Sequence, residues 1–250
     1  MGASMNSVQF YKNTNGNRIA FCHANHRQHD ETIVFLPGYM SDLQGGKATA
    51  LLEWADELSY GCLLVDYSGC GQSDGDFADG SLTKWRDEVL ELIEARGLNK
   101  IVLVGSSMGG WLMLMVGLAL GPRLAGMVGI ASAPDFTDWG RSETDKARLK
   151  AGETVFDDNP YGPDPTPMHS KFWKDGQANR LLEGEIAIDC PVRLIHSQKD
   201  ADVPYEISLT LAKQLRSGDV QVTLVKNSDH RLSRASDIKL LLSQVANLLD

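Results

Sequence analysis

Ser107 sits at the centre of Gly105-Ser106-Ser107-Met108-Gly109, His230 ends Asn227-Ser228-Asp229-His230, and two carboxylates, Asp200 and Asp202, lie between them in the chain. A serine hydroxyl attacks an acyl carbon only when a base takes its proton. An imidazole does this well when a carboxylate holds its tautomer and stabilises the imidazolium. Serine, acid and histidine in that order are therefore a candidate acyl-transfer set, with Ser107 as nucleophile and His230 as general base.

The G-x-S-x-G run follows an apolar segment, residues 101–104, and precedes an apolar segment starting at Gly110. A strand that enters a helix without a loop strains its central residue and leaves no room for bulk two positions to either side. Gly105 and Gly109 meet that need. Centring the turn on Ser106 would put Val104 and Met108 in the crowded places, so Ser106 reads as a supporting residue. Chance G-x-S-x-G runs are common, and it is the strand-turn-helix setting that gives this one chemical content. His196 is a rival base, but it lies inside Arg193-Leu194-Ile195-His196, upstream of any suitable acid, and reads as a strand-end histidine bonded locally. The oxyanion of a tetrahedral intermediate needs two preset donors. One is the backbone N–H of Met108; the other is expected from the loop after the third strand, at Tyr39, where Pro37-Gly38 as a plain turn is the alternative.

Elements able to hold these groups alternate along the chain. Residues 8–12 and 18–24 read as a hairpin across Asn13-Thr14-Asn15-Gly16-Asn17, residues 32–36 and 62–65 as buried strands, and residues 48–58 as a helix. Trp85, Val89 and Leu92 at i, i+4 and i+7 define a helix over 82–96 closed by Gly97. Residues 101–104 and 126–131 are strands around an all-apolar helix at 111–120. After residue 192 come a strand, a helix from 203 to 215 with Asp202 as its expected cap, a strand over 220–225 and a closing helix over 236–249. Buried strands alternating with helices imply an α/β fold with a mostly parallel central sheet covered on both faces. Ligands bind such sheets at the carboxyl ends of the strands. Residues 135–189 show no readable period, contain Pro160, Pro163, Pro165 and Pro167, and interrupt the alternation. They are expected to form a lid on a core of residues 1–134 and 190–250. A long insertion of this kind is usually functional.

The blocks Leu36-Pro37-Gly38-Tyr39-Met40-Ser41-Asp42, Asp66-Tyr67-Ser68-Gly69-Cys70-Gly71-Gln72-Ser73, Gly105 to Trp111, Asp200 to Pro204 and Asp229-His230-Arg231-Leu232-Ser233 together resemble the α/β-hydrolases. Within them the chain is similar to the group containing mitochondrial abhydrolase domain-containing protein 10 and its bacterial relatives, over nearly its whole length. The resemblance implies hydrolysis of carboxylic esters, acyl glucuronides included, and of protein S-palmitoyl thioesters. It also favours Asp200 over Asp202 as the acid, because His196 to Pro204 resembles the family's H-G-x-x-D-x-x-V-P, whose first Asp is catalytic. Pro37 stands where relatives usually carry His, which leaves the Tyr39 amide free. Ser68, Cys70 and Ser197 depart from the common Arg, His and Gly, and bear on substrate preference more than on mechanism.

Composition narrows the partners. A formal charge of −9 and a pI near 5.1 disfavour nucleic acid, whose phosphates need clustered Lys and Arg. The uncharged run 101–122 is long enough to span a bilayer, but its Gly and Ser break would strand backbone groups in lipid, so stable membrane insertion is not expected. Met1 to Asn6 resembles a myristoylation signal except for Asn6 where Ser or Thr is required. Four scattered cysteines without a secretory signal point to reduced thiols and a cytoplasmic location. His23, His26 and His29 beside Cys22 and Asp30 raise a metal site, but they lie in a polar stretch and a serine triad needs none. No cofactor or metal is expected. Cys70 is a possible redox-sensitive thiol, with a packed small residue preferred.

The expected substrate is a small-molecule or acylated-peptide ester or thioester with a medium to long acyl chain. Trp111, Trp139 and Trp173 are the candidate binding residues, beside Phe136, Phe156 and Phe172. Lid packing accounts for these aromatics about as well. Aminopeptidase, C–C hydrolase and perhydrolase chemistry use the same triad, and a noncatalytic binding protein of this fold is the competing class. The filled triad disfavours that class, and Ser107 in place of Asp disfavours an epoxide hydrolase or dehalogenase. Oligomeric state is left open.

Overall fold

Apolar runs with no polar face demand cover on both sides, and the computed structural model, which describes residues 7–26, 28–159 and 162–249, provides it. Met1 to Asn6 and Pro160 lie outside the described residues. An eight-stranded sheet has the order β1-β2-β4-β3-β5-β6-β9-β10. The antiparallel hairpin β1 (Gln9–Lys12) and β2 (Arg18–Ala24) forms one edge, and β2 also runs antiparallel to β4 (Gly61–Val65). The other strands are parallel: β3 (Glu31–Leu36), β5 (Lys100–Ser106), β6 (Leu124–Ile130), β9 (Val192–Ser197) and β10 (Val220–Val225).

Strand side chains alternate between two apolar layers. Val34 and Leu36 join the layer holding Trp85 and Leu92 of α2 (Leu82–Ala95) and Trp111 of α3 (Met108–Leu120). Ile33 and Phe35 join the opposite layer, with Leu51 and Ala55 of α1 (Gly46–Glu57) and Leu241 and Val245 of α7 (Ala235–Leu249). The run at 101–122 is thus strand, turn and buried helix. No described helix is long and apolar enough to cross a membrane.

Between β6 and β9 the chain is more regular than its composition predicts. It forms a 3-10 turn at Phe136–Asp138, α4 (Glu143–Ala151), the two-stranded hairpin β7 (Val155–Asp157) and β8 (Thr166–Met168), and α5 (Ser170–Ala178). α4 begins on a Ser142 cap, whose hydroxyl accepts from the Asp145 amide, and ends at Gly152 with φ +102°. Only Leu149 of α4 is buried, so its sequence carries little period. The two ends of this segment are pinned together by Asp135, whose buried carboxylate accepts from the amides of Leu181 and Leu182 at 2.8 and 2.9 Å. α6 (Glu206–Gln214) starts later than expected, with Tyr205 as its first flanking residue. Asp202 is therefore not its cap, because Pro204 and Tyr205 intervene.

Candidate active site

The carboxyl ends of β3, β5, β9 and β10 converge, and each carries one part of the site. After β5 the chain passes Ser107 at φ +55°, ψ −121° and enters α3 at once. That conformation is strained for a residue with a side chain. A Cβ on Gly105 would lie 2.4 Å from the Gly109 oxygen, and one on Gly109 would lie 2.1 Å from the Leu36 oxygen. Two glycines are thus required by close approach, of the elbow to itself and of the elbow to the β3 loop. The Ser107 amide bonds the Ile130 oxygen at 2.9 Å, which ties the turn to β6.

His230 lies on the loop between β10 and α7. Its Nε2 is 3.0 Å from Ser107 Oγ, and its Nδ1 is 2.8 Å from Asp200 Oδ2. A carboxylate only accepts, so Nδ1 carries the proton and Nε2 accepts from the serine hydroxyl. The Asp200 side chain is fully buried. Its Oδ1 accepts from the amides of Asp202 and Val203, both at 2.9 Å. Burial alone would push this carboxyl up; hydrogen bonds from His196 and His230, the nearby His230 charge and the Val203 amide outweigh it and hold Asp200 well below the usual carboxylate range. Asp202 is exposed at the rim and supports Asp200 through its amide.

Two residues that the sequence reading noticed have roles in this arrangement that it did not assign. His196 is bonded locally, to Ser208 Oγ at 2.7 Å and the Val203 oxygen at 3.0 Å, yet its Nε2 also lies 3.2 Å from Asp200 Oδ2. Because the Val203 oxygen only accepts, Nε2 carries the proton, and the buried ring is a second donor facing the acid. Ser197, buried at the end of β9, joins the acid loop to the histidine loop. Its hydroxyl donates to the Ser228 oxygen at 2.5 Å and accepts from the Lys199 and Ser228 amides. The Gly more usual there could make none of these bonds.

Met108 is the first residue of α3, where an amide has no intrahelical partner. Tyr39 follows Gly38, whose Cα hydrogen faces the elbow closely enough that a Cβ would lie 3.3 Å from Ser107 Cβ. Both residues line a pocket of about 220 Å³ together with Ser107, His230, Ala133, Phe136, Trp139, Asp202 and Val203. Of the three tryptophans considered for binding, only Trp139 is on its wall. Trp111 is fully buried with its indole N–H on the Asn179 oxygen, and Trp173 is 5% exposed with its N–H on the Thr137 oxygen. Both pack in the interior and neither borders the pocket, so the expectation that they touch substrate does not hold in this structure. Phe156 is 61% exposed. Phe77, unremarked in the sequence, packs edge-on against Tyr39.

The histidines near the amino-terminal hairpin go separate ways. His23 is buried against Arg96, His26 pairs with Asp56, and His29 stacks on Tyr60. Burial, helped by Arg96, lowers His23 to about 4. Cys70 is buried, and burial with Asp66 and Glu88 nearby raises its thiol to about 12, so it is not a ready thiolate. Among the described residues, the one His and carboxylate group with metal-ligand proximity is Asp200, Asp202 and His230. Asp200 there is already engaged by two amides and two imidazoles.

The chain matches the model of the alpha/beta hydrolase family over residues 33–237 and belongs to that family. It is 36% identical over 222 residues to human "Palmitoyl-protein thioesterase ABHD10, mitochondrial", a match covering 87% of this chain and 72% of the relative. Among solved structures it is similar to a putative hydrolase from Agrobacterium vitis S4, with TM-score 0.90, 33% identity, and 98% and 100% of the two chains covered. It is also similar to mouse alpha/beta hydrolase domain-containing protein 10, with TM-score 0.89, 32% identity and 98% of each chain covered. The fold and the resemblance read from the motifs both hold, and the chain is a hydrolase of this family. The cytoplasmic location is overturned: the curated relatives are named as mitochondrial proteins and point there instead. Four cysteines that form no disulfide do not single out one compartment, so the scattered cysteines could not carry that expectation.

Proposed function

We propose that the chain hydrolyses carboxylic esters and acyl thioesters through an acyl-enzyme on Ser107, with His230 as base, Asp200 as the orienting acid, and the Met108 and Tyr39 amides as oxyanion donors. The observation that carries this is the line Ser107 Oγ, His230, Asp200, with 3.0 and 2.8 Å contacts, at the floor of an apolar-walled pocket. Ser107 Oγ attacks the acyl carbon as its proton passes to His230 Nε2. The two amides hold the oxyanion, and the protonated His230 gives its proton to the departing thiolate or alkoxide. Water then attacks the acyl-enzyme with His230 again as base, releasing the acid and restoring Ser107.

Residues 135–189 serve as the cap, with Phe136 and Trp139 facing the acyl group. Twelve acidic against seven basic residues leave this cap at a net −5. Such a surface suits an apolar chain on a small or peptide-linked leaving group better than a polyanion. The names of the relatives, palmitoyl-protein thioesterases, support the thioester arm. The test is a panel of esters, thioesters and aminoacyl amides against wild type and Ser107→Ala, with fluorophosphonate labelling of both. Turnover of esters and thioesters by wild type, with labelling and turnover lost in Ser107→Ala, is expected. Preferential turnover of amides would transfer the protein to the peptidases, and wild type that neither labels nor turns over would make it a binding protein.

A further inference from the structure

We infer that the Tyr39 side chain is a positioning residue that links the cap to the oxyanion donor on its own backbone. This rests on the triad reading above and extends it from the donor amide to what holds that amide in place.

The loop after β3 has little to fix it locally. Gly38 is pressed against the elbow, the Ser41 amide returns to the Gly38 oxygen at 3.1 Å, and Met40 takes φ +56° with its side chain 55% exposed. Upstream the loop is tied to the core, where the buried Tyr67 hydroxyl donates to the Pro37 oxygen at 3.1 Å. Downstream the loop is tied to the core by the Leu43 amide, which donates to the buried Asp66 Oδ1 at 2.7 Å, and between these two ties the tether is Tyr39 itself. Its hydroxyl donates to the Pro167 oxygen on β8 at 2.9 Å, 128 residues along the chain. Its ring packs at 4.9 Å centroid distance on both Phe77 and Phe172 and at 5.9 Å on Phe136. Two of these three rings, and the carbonyl, belong to residues 135–189.

Burial keeps the phenol un-ionised, so it remains a donor to the carbonyl across the working pH range. An oxyanion donor is effective only within a few tenths of an ångström of the developing charge. The Tyr39 amide is one bond from the Cα that carries this ring, so whatever moves the ring moves the amide. With the cap seated as it is in this structure, the ring is clamped between Phe172, Phe136 and the Pro167 carbonyl, and the donor on the same residue is placed with it.

The test is Tyr39→Phe, which keeps the ring and removes only the bond to Pro167. Wild type and variant are compared in kcat and KM on one thioester substrate and in affinity for two inhibitors. One is an alkyl trifluoromethyl ketone, which forms a tetrahedral oxyanion on Ser107; the other is the matching alkyl methyl carbinol, which fills the pocket without one. The variant is expected to fold, to keep KM and carbinol affinity within about twofold, and to lose about tenfold in both kcat and ketone affinity, a fraction of the loss from deleting an oxyanion donor. Phe172→Leu, which loosens the ring and spares the hydroxyl, should move the same two quantities in the same direction. Equal losses for ketone and carbinol would show a merely structural role, and unchanged kcat and ketone affinity in both variants would remove the link altogether. If wild type itself turns over no thioester, or Ser107→Ala retains wild-type turnover, it is the triad reading that has failed.

Discussion

The length of acyl chain that the pocket accepts follows from its volume. The space above Ser107 is about 220 Å³. A methylene displaces roughly the volume of a water molecule, ~30 Å³, so the pocket holds about seven carbons. Each methylene moved from water into it contributes about 0.8 kcal/mol, or close to fourfold in rate. For p-nitrophenyl esters and the matching thioesters, kcat/KM should climb about fourfold per carbon from acetyl, level off near hexanoyl to octanoyl, and stay level for longer chains. Trp139→Ala removes an indole from the pocket wall and should carry the plateau several carbons further. Trp173→Ala is the control. Its ring is packed inside the cap with its N–H on Thr137, so it should lower Tm, at a cost of about 3–5 kcal/mol, and leave the chain-length profile where it was. A wild-type optimum at acetyl would refute the assignment of this cavity to the acyl group. So would a profile unmoved by Trp139→Ala, or one moved by Trp173→Ala.

Asp200→Asn should cost about 10³ to 10⁴ in kcat, as loss of the orienting acid does in such triads, while Asp202→Asn should stay within about tenfold because its amide still serves Asp200; steady-state kinetics on both variants that gave the reverse ranking would exchange their roles. A pH–rate profile of kcat/KM should lose activity toward acid, since only neutral imidazole accepts the serine proton, and no step in the neutral range should come from Asp200, which is held well below the usual carboxylate range. Acid unfolding followed by circular dichroism should show a matching sign: Asp200 and Asp237 are depressed, the latter to about 2, so their stabilisation is present above the ordinary carboxylate range and is lost as pH falls through their folded values. Glu88 and Asp66, raised by burial, act oppositely, and their contribution falls as pH rises through their folded values, so the Tm of Glu88→Gln should gain on that of wild type as pH rises. Gly109→Ala should abolish soluble, active protein, because its Cβ would sit 2.1 Å from the Leu36 oxygen of the adjoining strand; an active, stable variant would mean that the elbow can shift.

How legible each part was depends on what imposed the residue. Gly105, Gly109 and Ser107 were readable because the backbone path itself forbids side chains at two positions and strains a third. The strands were readable because a sheet covered on both faces requires unbroken apolar runs, as in Gly61–Val65, where all five residues are buried. Asp200 and Asp202 were alike on those terms. What separates them is that two amides, two residues and three residues on, turn back onto Asp200 Oδ1, a feature of the folded loop and not of composition. The tryptophans failed for a related reason: a pocket wall and a packed interior are both apolar, so residue type cannot tell Trp139 from Trp111 or Trp173.

The cap was opaque because its elements are short. Three-residue strands and nine-residue helices pass through too few turns to express a period, and their outer faces are charged. Its attachment rests on side chains remote in sequence, Asp135 to Leu181 and Leu182, and Tyr39 to Pro167. Tyr39 shows the limit most clearly. Its amide could be nominated from its place after β3, but the task of its ring is set by three aromatic residues from two other parts of the chain. Ser197 shows the converse. As a departure from the usual Gly it was visible at once, yet its meaning, a hydroxyl that joins the loop of the acid to the loop of the base, needed the Ser228 backbone beside it. At this strand end the departure supplies a bond of the chain's own between the loops that carry the acid and the base, whereas the departure at Ser68, whose buried hydroxyl has no hydrogen-bond partner among the described residues, supplies none.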